Sequence, residues 1–459
     1  MKRSALIAAT TFAALCAPVA AQDVALTGIT LATGDGSEPI ADAAIVVRNG
    51  RVTYAGSAAD MPATPSVTVV DGEGAWVTPG IFAAGTDLGL WDVGAVSESN
   101  DTEARNSPFS AALDVAPAIN PASQHIAVSR AAGITRAAVL SEPSSSIFGG
   151  QGALIDMGAD ADPIIRARAF QVVTLGENGG RIAGGSRTSA HALFRNALRE
   201  ARQYGSDARI PGGPARPAER STGDDLPFDP RMLDNRTERG DDALLTRFDA
   251  AALVPIVRGE QKLLVSVDRA SDIRAVIDLK REFPQLDLVL VGAAEGWMVA
   301  PQIAAAGIPV LAAALENLPG RFESLASTQN NIGRMRQAGV MVGIYAGSMR
   351  QPRQLAQHAG NLVGLARMPR ATGLSWGQAL QAITSTPARI MGLGNAASSL
   401  TAGAAGDLVV WDGDPLEVGT MPVAVYIDGV EQPLENHQSR LRDRYRDLDE
   451  SDLPKAYDW

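Results

Sequence analysis

The sequence predicts an α/β chain in which a parallel sheet is inserted between two short β segments that meet as one small domain. Three observations predict it. From about residue 78 to 392, apolar strand runs alternate with helical stretches, the rhythm of βαβ units. Residues 22–78 and 393–435 both read as β. Strands at opposite ends of a chain can pair, which brings the termini together and makes the middle an insertion. Periodicity alone leaves open whether the central sheet is open or closed.

The elements follow in order. Lys2 and Arg3, the apolar run Ala5–Ala17 and the small residues Val19-Ala20-Ala21 before Gln22 have the form of a cleavable secretory leader over 1–21, too short to span a membrane. Export, to the periplasm of a bacterium or beyond, is the expected localisation. The single cysteine, Cys16, lies inside this leader, and Leu15 before it disfavours a lipid anchor. Loss of Lys2 and Arg3 takes the net charge from −11 to −13. In the first β segment, Ala44–Arg48 and Arg51–Ala55 flank Asn49-Gly50, a strong hairpin signal. Val67–Val70 adds a strand. The central strands are expected at Thr135–Leu140, Leu263–Val267, Leu286–Val291, Ile308–Leu311 and Val340–Ile344. Helices are expected at Ser271–Phe283 and Trp297–Ala306, the latter stopped at Gly307. Residues 204–241, rich in Pro, Gly and mixed charge, read as a long insertion over the surface. The returning β segment contains Asp407–Trp411 and Ala424–Ile427, with Asp428-Gly429 as a turn. Residues 436–459 form a charged tail whose alternating Arg and Asp support an exposed helix.

Composition removes several functions. An acidic chain offers no basic footprint for nucleic acid. One cysteine makes neither an intrachain disulfide nor a Cys-rich zinc site. The four histidines, His125, His191, His358 and His437, are never closer than 66 residues, so no local His pair exists. Serine-nucleophile elbows, Walker loops and dinucleotide glycine patterns are absent. Ser144-Ser145-Ser146 has no spaced His partner, and Gly149-Gly150-Gln151-Gly152 lacks the lysine of a phosphate loop.

The stretch Val77-Thr78-Pro79-Gly80-Ile81-Phe82-Ala83-Ala84-Gly85-Thr86-Asp87-Leu88-Gly89 resembles the barrel entry of the amidohydrolase superfamily, in its imidazolonepropionase-like branch. That entry reads Pro-Gly, two apolar residues, Asp-x-His-x-His-x-Gly. Ala132–Thr135 resembles the next strand, and Gly149–Ile155 the branch's Gly-Gly-Gln signature. Arg269–Ile273 resembles a strand-to-helix junction, Ala379–Ala388 the last barrel helix, and Gly403–Leu416 the return into the β domain. The resemblance covers about residues 23–433. It implies a TIM-like (β/α)8 barrel over 79–392 with a small composite β-sandwich formed by the N- and C-terminal segments. It also implies hydrolysis of C–N bonds, in amides, dipeptides or cyclic amides, at one or two divalent metals.

The resemblance also says where those metals would be held, and this chain departs from it at each place. The first-strand histidines fall on Gly85 and Asp87, and the motif aspartate on Ala83. The strand-five histidine falls on Ser266, the strand-six histidine at or next to Gly292, and the strand-eight aspartate within Ile344–Ser348, around Gly347, where no acid exists. Glycine has no side chain to coordinate with. The expectation is therefore a degenerate amidohydrolase with no metal and no other cofactor, binding a small ligand at the mouth or pairing with itself or with an intact relative. One alternative is an active enzyme using zinc, manganese or magnesium on an atypical carboxylate site, or working without metal; another is a purely structural component of the cell envelope, which a mouth plugged by residues 204–241 or by side chains would favour. Asp87, Asp268 and Glu295 lie at or near strand ends and suit hard divalent ions. His358 is the candidate base. Asp268 and Asp272 also read as caps of the 271–283 helix, and Trp91, Trp297 and Tyr345 as pocket-lining aromatics.

Overall fold

A computed structural model describes residues 21–65, 67–207, 244–349, 351–394 and 398–446. The expected leader before Ala21, residues 208–243, which hold most of the expected insertion, and the tail beyond Arg446 lie outside the described residues. Among the described residues no helix is long and apolar enough to cross a membrane.

The chain opens with β1 (Val24–Leu31), β2 (Ile40–Arg48), β3 (Arg51–Ser57), β4 (Thr68–Asp71) and β5 (Trp76–Pro79). The β2–β3 hairpin turns on Asn49 at φ 49° and Gly50 at φ 73°. Two positive φ values in succession define the turn that Asn-Gly favours.

The central unit runs through β6 (Ile81–Thr86), α1 (Gln124–Arg130), β7 (Ile134–Val139), β8 (Phe148–Asp156), β9 (Ile164–Thr174), α2 (Gly176–Ile182) and α3 (Arg187–Asp207). It continues through α4 (Arg247–Val257), β10 (Lys262–Val267), α5 (Ala270–Glu282), β11 (Asp287–Gly292), α6 (Ala300–Ala306), β12 (Val310–Ala312) and α7 (Asn331–Gln337). It ends with β13 (Val342–Ile344), α8 (Leu355–Ala366), α9 (Trp376–Gln381) and α10 (Ser385–Ile390). The chain then returns through β14 (Leu408–Trp411), β15 (Pro422–Ile427), β16 (Val430–Glu431) and α11 (His437–Arg444).

Strands β6 to β13 form one eight-stranded sheet, in chain order, that curls into a nearly closed barrel. Its edges do not pair with each other. The backbone between α9 and α10 spans the gap: Phe82 N–H on β6 donates to Ile383 O at 2.9 Å, and Ile344 N–H on β13 donates to Ala382 O at 2.8 Å. Both open edges are thereby covered. Phe82, Ala84, Ala138, Leu154, Phe170, Val172, Leu264, Val289, Val291 and Leu311 fill the interior as a separate core. A larger core lies between the barrel and its helices. Strands buried on both faces explain the unbroken apolar runs in the sequence.

The sheet is not uniformly parallel, as the strand–helix rhythm had implied. β8 runs antiparallel to both β7 and β9. The glycine-rich signature therefore lies on a reversed strand of the barrel wall. A Cβ at Gly152 would overlap the Phe170 ring, so this strand needs its glycine to let the interior core close.

The two ends of the chain make one further eight-stranded sheet, in the order β16-β15-β14-β5-β1-β2-β3, with β4 beside β1. One ionic cluster ties it to the barrel. Arg136 of β7 bonds Asp407 at 2.5 Å and Asp428 at 2.9 Å. Burial opposes charge on Arg136, but the two carboxylates more than reverse this and hold it above its ordinary value. Burial pushes the Asp407 carboxyl up, against the pull of Arg136.

Candidate functional site

The barrel delivers the resemblance positions to its mouth, the end where the parallel strands finish. β6 ends at Gly85-Thr86-Asp87, β10 at Ser266 and Asp268, β11 at Gly292, and β13 leads into Tyr345 and Gly347. Gly85 has φ 77° and Gly292 φ 87°, a region in which a histidine would be strained. A Cβ at Gly85 would overlap the Tyr345 ring, and one at Gly347 would lie 2.5 Å from the same ring and its hydroxyl oxygen. A Cβ at Gly292 would lie 2.5 Å from an Asp268 carboxylate oxygen. Three of the positions thus lack ligands, and their space is filled by other side chains.

Tyr345, just after β13, packs against the interior core and lies over Gly85 of β6. Its phenol is pushed up to about 12, first by burial and then by the charges of Glu142 and Asp87. It stays a neutral hydroxyl across the physiological range, a donor rather than a base.

The acidic candidates are occupied separately. Asp268 is buried; it accepts the Ala294 N–H at 3.1 Å and pairs with Arg321 at 2.8 Å. Burial raises it to about 6, while the Ala294 N–H and Arg321 pull it back down. Glu295 is buried too, and accepts N–H groups from Ala270 at 3.0 Å and Ala326 at 3.1 Å. Asp87 is half-buried beside a cavity of about 20 Å³ with Trp91 and His125. Among the described residues no three His, Cys, Asp or Glu side chains stand close enough to hold a metal ion. The described residues at the mouth therefore offer no such cluster to a divalent ion.

The helix-cap reading of Asp268 and Asp272 needs correction. Arg269 occupies the N-cap position of α5, and the first helical N–H, that of Ala270, goes to Glu295 from the next strand's loop. Asp272 lies in the first turn but faces Arg187 at 3.0 Å and His191 at 3.8 Å. The cap comes across the fold, which local sequence does not reveal.

The sequence reading also missed the charge network on this rim. Arg187 reaches Asp272, Glu323 at 3.3 Å and Glu177 at 3.5 Å. Arg321 joins Asp268 to Glu323 at 3.4 Å. Glu323 is almost fully buried and accepts the Glu177 N–H at 2.5 Å. These residues come from α2, α3, α5 and the segments that follow β10 and β12, and no motif links them.

The histidines do not converge on the mouth. His125 stacks on Trp91 with ring centroids 3.8 Å apart, its Nε2 at 3.0 Å from Asp92 O. His358, the candidate base, lies on α8 against the core between barrel and helices. Its Nδ1 is buried without a hydrogen-bond partner, and burial holds the imidazole below its usual value. Trp297 donates its indole N–H to Ala326 O at 2.9 Å and lies beneath Arg334, a packing role.

Comparison with known proteins agrees with this architecture. A family model described as the amidohydrolase family matches residues 332–431. Amidohydrolase tasK of Hapsidospora irregularis is 26% identical over 416 residues, which is 84% of this chain and 39% of that protein. An imidazolonepropionase of Ralstonia nicotianae is 42% identical over 88 residues, 18% of this chain and 21% of that enzyme. The chain thus matches well under half the length of each of these relatives. The crystal structure of an amidohydrolase from Thermotoga maritima superimposes with a TM-score of 0.72 at 21% identity, covering 89% of this chain and 99% of that one; it shares the fold. The family model and the imidazolonepropionase matches, with the barrel entry and return motifs in order, support placing this chain in the amidohydrolase superfamily, in its imidazolonepropionase-like branch.

Proposed function

We propose that the chain is an exported member of its superfamily that has given up metal-dependent hydrolysis and serves as a binding unit, for a small ligand or for another protein. The observation that carries this reading is Tyr345, whose ring fills the space over Gly85 and Gly347 where the family's side chains would project. The absorption of Asp268 and Glu295 into backbone bonds and ion pairs supports it. Export rests on the leader-like residues 1–21.

The experiment is a paired one. The purified chain is offered dipeptides and cyclic amides with added zinc or manganese, and its melting temperature is followed with the same ions. The reading expects no turnover and no metal-dependent shift. Turnover with metal, together with a melting shift that the Asp87→Ala/Asp268→Ala double variant abolishes, would return the carboxylate enzyme.

A second reading, pairing with an intact relative, is favoured by one observation. In the Hapsidospora irregularis protein the matched region is 39% of the length, which leaves room for another unit of similar size. Co-purification of the tagged chain with an amidohydrolase from its own source would support that form of the function.

A further inference from the structure

Two adjoining cavities lie where α1, the turn before α8 and α11 come together. The smaller, about 20 Å³, is lined by Asp87, Trp91, His125 and Arg353 among others, and has room for a group the size of a water molecule or an ammonium. The larger, about 500 Å³, falls in the size range of small-ligand sites. Val128, Arg353 and Gln438 line both.

Opposite charges face this space without meeting. Among the described residues the Asp87 carboxylate has no hydrogen bond and no ion pair. Arg353 has a single partner there, the Gln438 side chain, whose oxygen accepts from Nη1 at 2.7 Å. Asp87 follows β6 and Arg353 precedes α8, so the two are held on separate elements around one small cavity. That arrangement suits a ligand that brings both complementary charges itself. Trp91 adds a third open group, an indole N–H that is buried without an acceptor. A buried donor is costly to leave unmade, so an acceptor belongs beside it. The indole is fixed for this purpose: the His125 ring stacks on it at 3.8 Å, and His125 is itself held at Asp92 O. The larger cavity continues from Arg353 along Val128, Ala131, Ala132 and Ala356, an apolar wall. Of its other charges, Arg442 is tied to Asp443 at 2.8 Å, and Glu417 disfavours a second carboxylate.

We propose that the two cavities together bind a free α-amino acid with an apolar side chain. Its ammonium lies against Asp87, its carboxylate takes the Arg353 guanidinium and the Trp91 N–H, and its side chain runs along α1 and α8 into the larger cavity. The small volume between Asp87 and Arg353 requires the two ligand charges to stand close together, as they do on one α-carbon. The site goes beyond the reading of the barrel mouth and shares with its candidate metal residues only Asp87.

Isothermal titration calorimetry of the full chain with L-leucine and L-phenylalanine tests the proposal. EDTA is present throughout, so that an amino acid chelated by a metal at the mouth does not imitate the result. Saturable binding of at least one is expected. It should weaken about tenfold or more in Arg353→Gln and in Asp87→Asn, with circular dichroism and melting transition retained. The same loss is expected for analogues that carry one charge: 4-methylpentanoate and isopentylamine for leucine, 3-phenylpropionate and phenethylamine for phenylalanine. No saturable heat from either amino acid at about 10 mM, weaker than which a built site would have no claim, overturns the proposal. So does binding that is unchanged in either variant, or a singly charged analogue that binds as tightly as its amino acid. The analogue comparison uses the wild-type chain and holds whether or not a variant folds.

Discussion

Gly85 carries much of the argument at the scale of single residues. Its positive φ and the Tyr345 ring above it are two separate obstacles to a side chain. Gly85→His should therefore fail to regain metal and should lose stability. Left-handed backbone costs a non-glycine residue about 1–2 kcal/mol and overpacking about 1–3 kcal/mol, so a loss of about 2–5 kcal/mol is expected in denaturant unfolding. Asp156 gives a pH-dependent test. Burial raises its carboxyl to about 6 from an ordinary 3.8, against the pull of the Gly158 N–H and Arg136, with Asp160 and Asp428 raising it further. The folded state then holds a proton that the unfolded state has released between those two values. Stability from this group is full below the lower value and is lost as pH rises through the upper one. Asp156→Asn should match the wild type near pH 3 and exceed it at about pH 7, in thermal unfolding at both. The motif glycines and acids were legible in the sequence, but Tyr345 read only as a pocket-lining aromatic. Nothing local to it says that its ring lies over Gly85, a contact across 260 positions of chain.

Among the elements, α5 shows why local signals reach only so far. Its span was readable from its apolar periodicity, yet its first N–H is satisfied by Glu295, beyond the following strand. Glu295→Ala would leave the Ala270 and Ala326 N–H groups buried or half-buried without acceptors, at about 1–3 kcal/mol each. Hydrogen exchange should quicken first at those two amides, ahead of the rest of α5. β8 makes the related point for strands. Its glycines read only as a resemblance to the Gly-Gly-Gln signature, and its reversed direction belongs to a β8–β9 hairpin whose second strand begins with exposed residues that include Arg166 and Arg168. The Asn49-Gly50 and Asp428-Gly429 turns, by contrast, were legible because their backbone geometry is set by the two residues themselves.

For the whole molecule, the two sheets are joined through Arg136, Asp407 and Asp428. Without Asp407 the buried Arg136 keeps only the exposed Asp428, and breaking a buried pair costs up to about 3–5 kcal/mol. Asp407→Ala should lose that much and still unfold in one transition if barrel and end sheet form one cooperative unit. The fold was legible because ordered motifs from residue 77 to 416 mark the barrel's entry and return. The state of the mouth was only half legible: the missing ligands stood in the sequence, the side chains that replaced them did not. The central proposal is that the mouth holds no metal. Elemental analysis of the chain, purified without histidine tag or chelator and followed by a zinc and manganese titration, tests it most directly. The account predicts metal well below one ion per chain and no saturable site at the mouth. Near-stoichiometric metal, lost on substitution of Asp87 or Asp268, would contradict it.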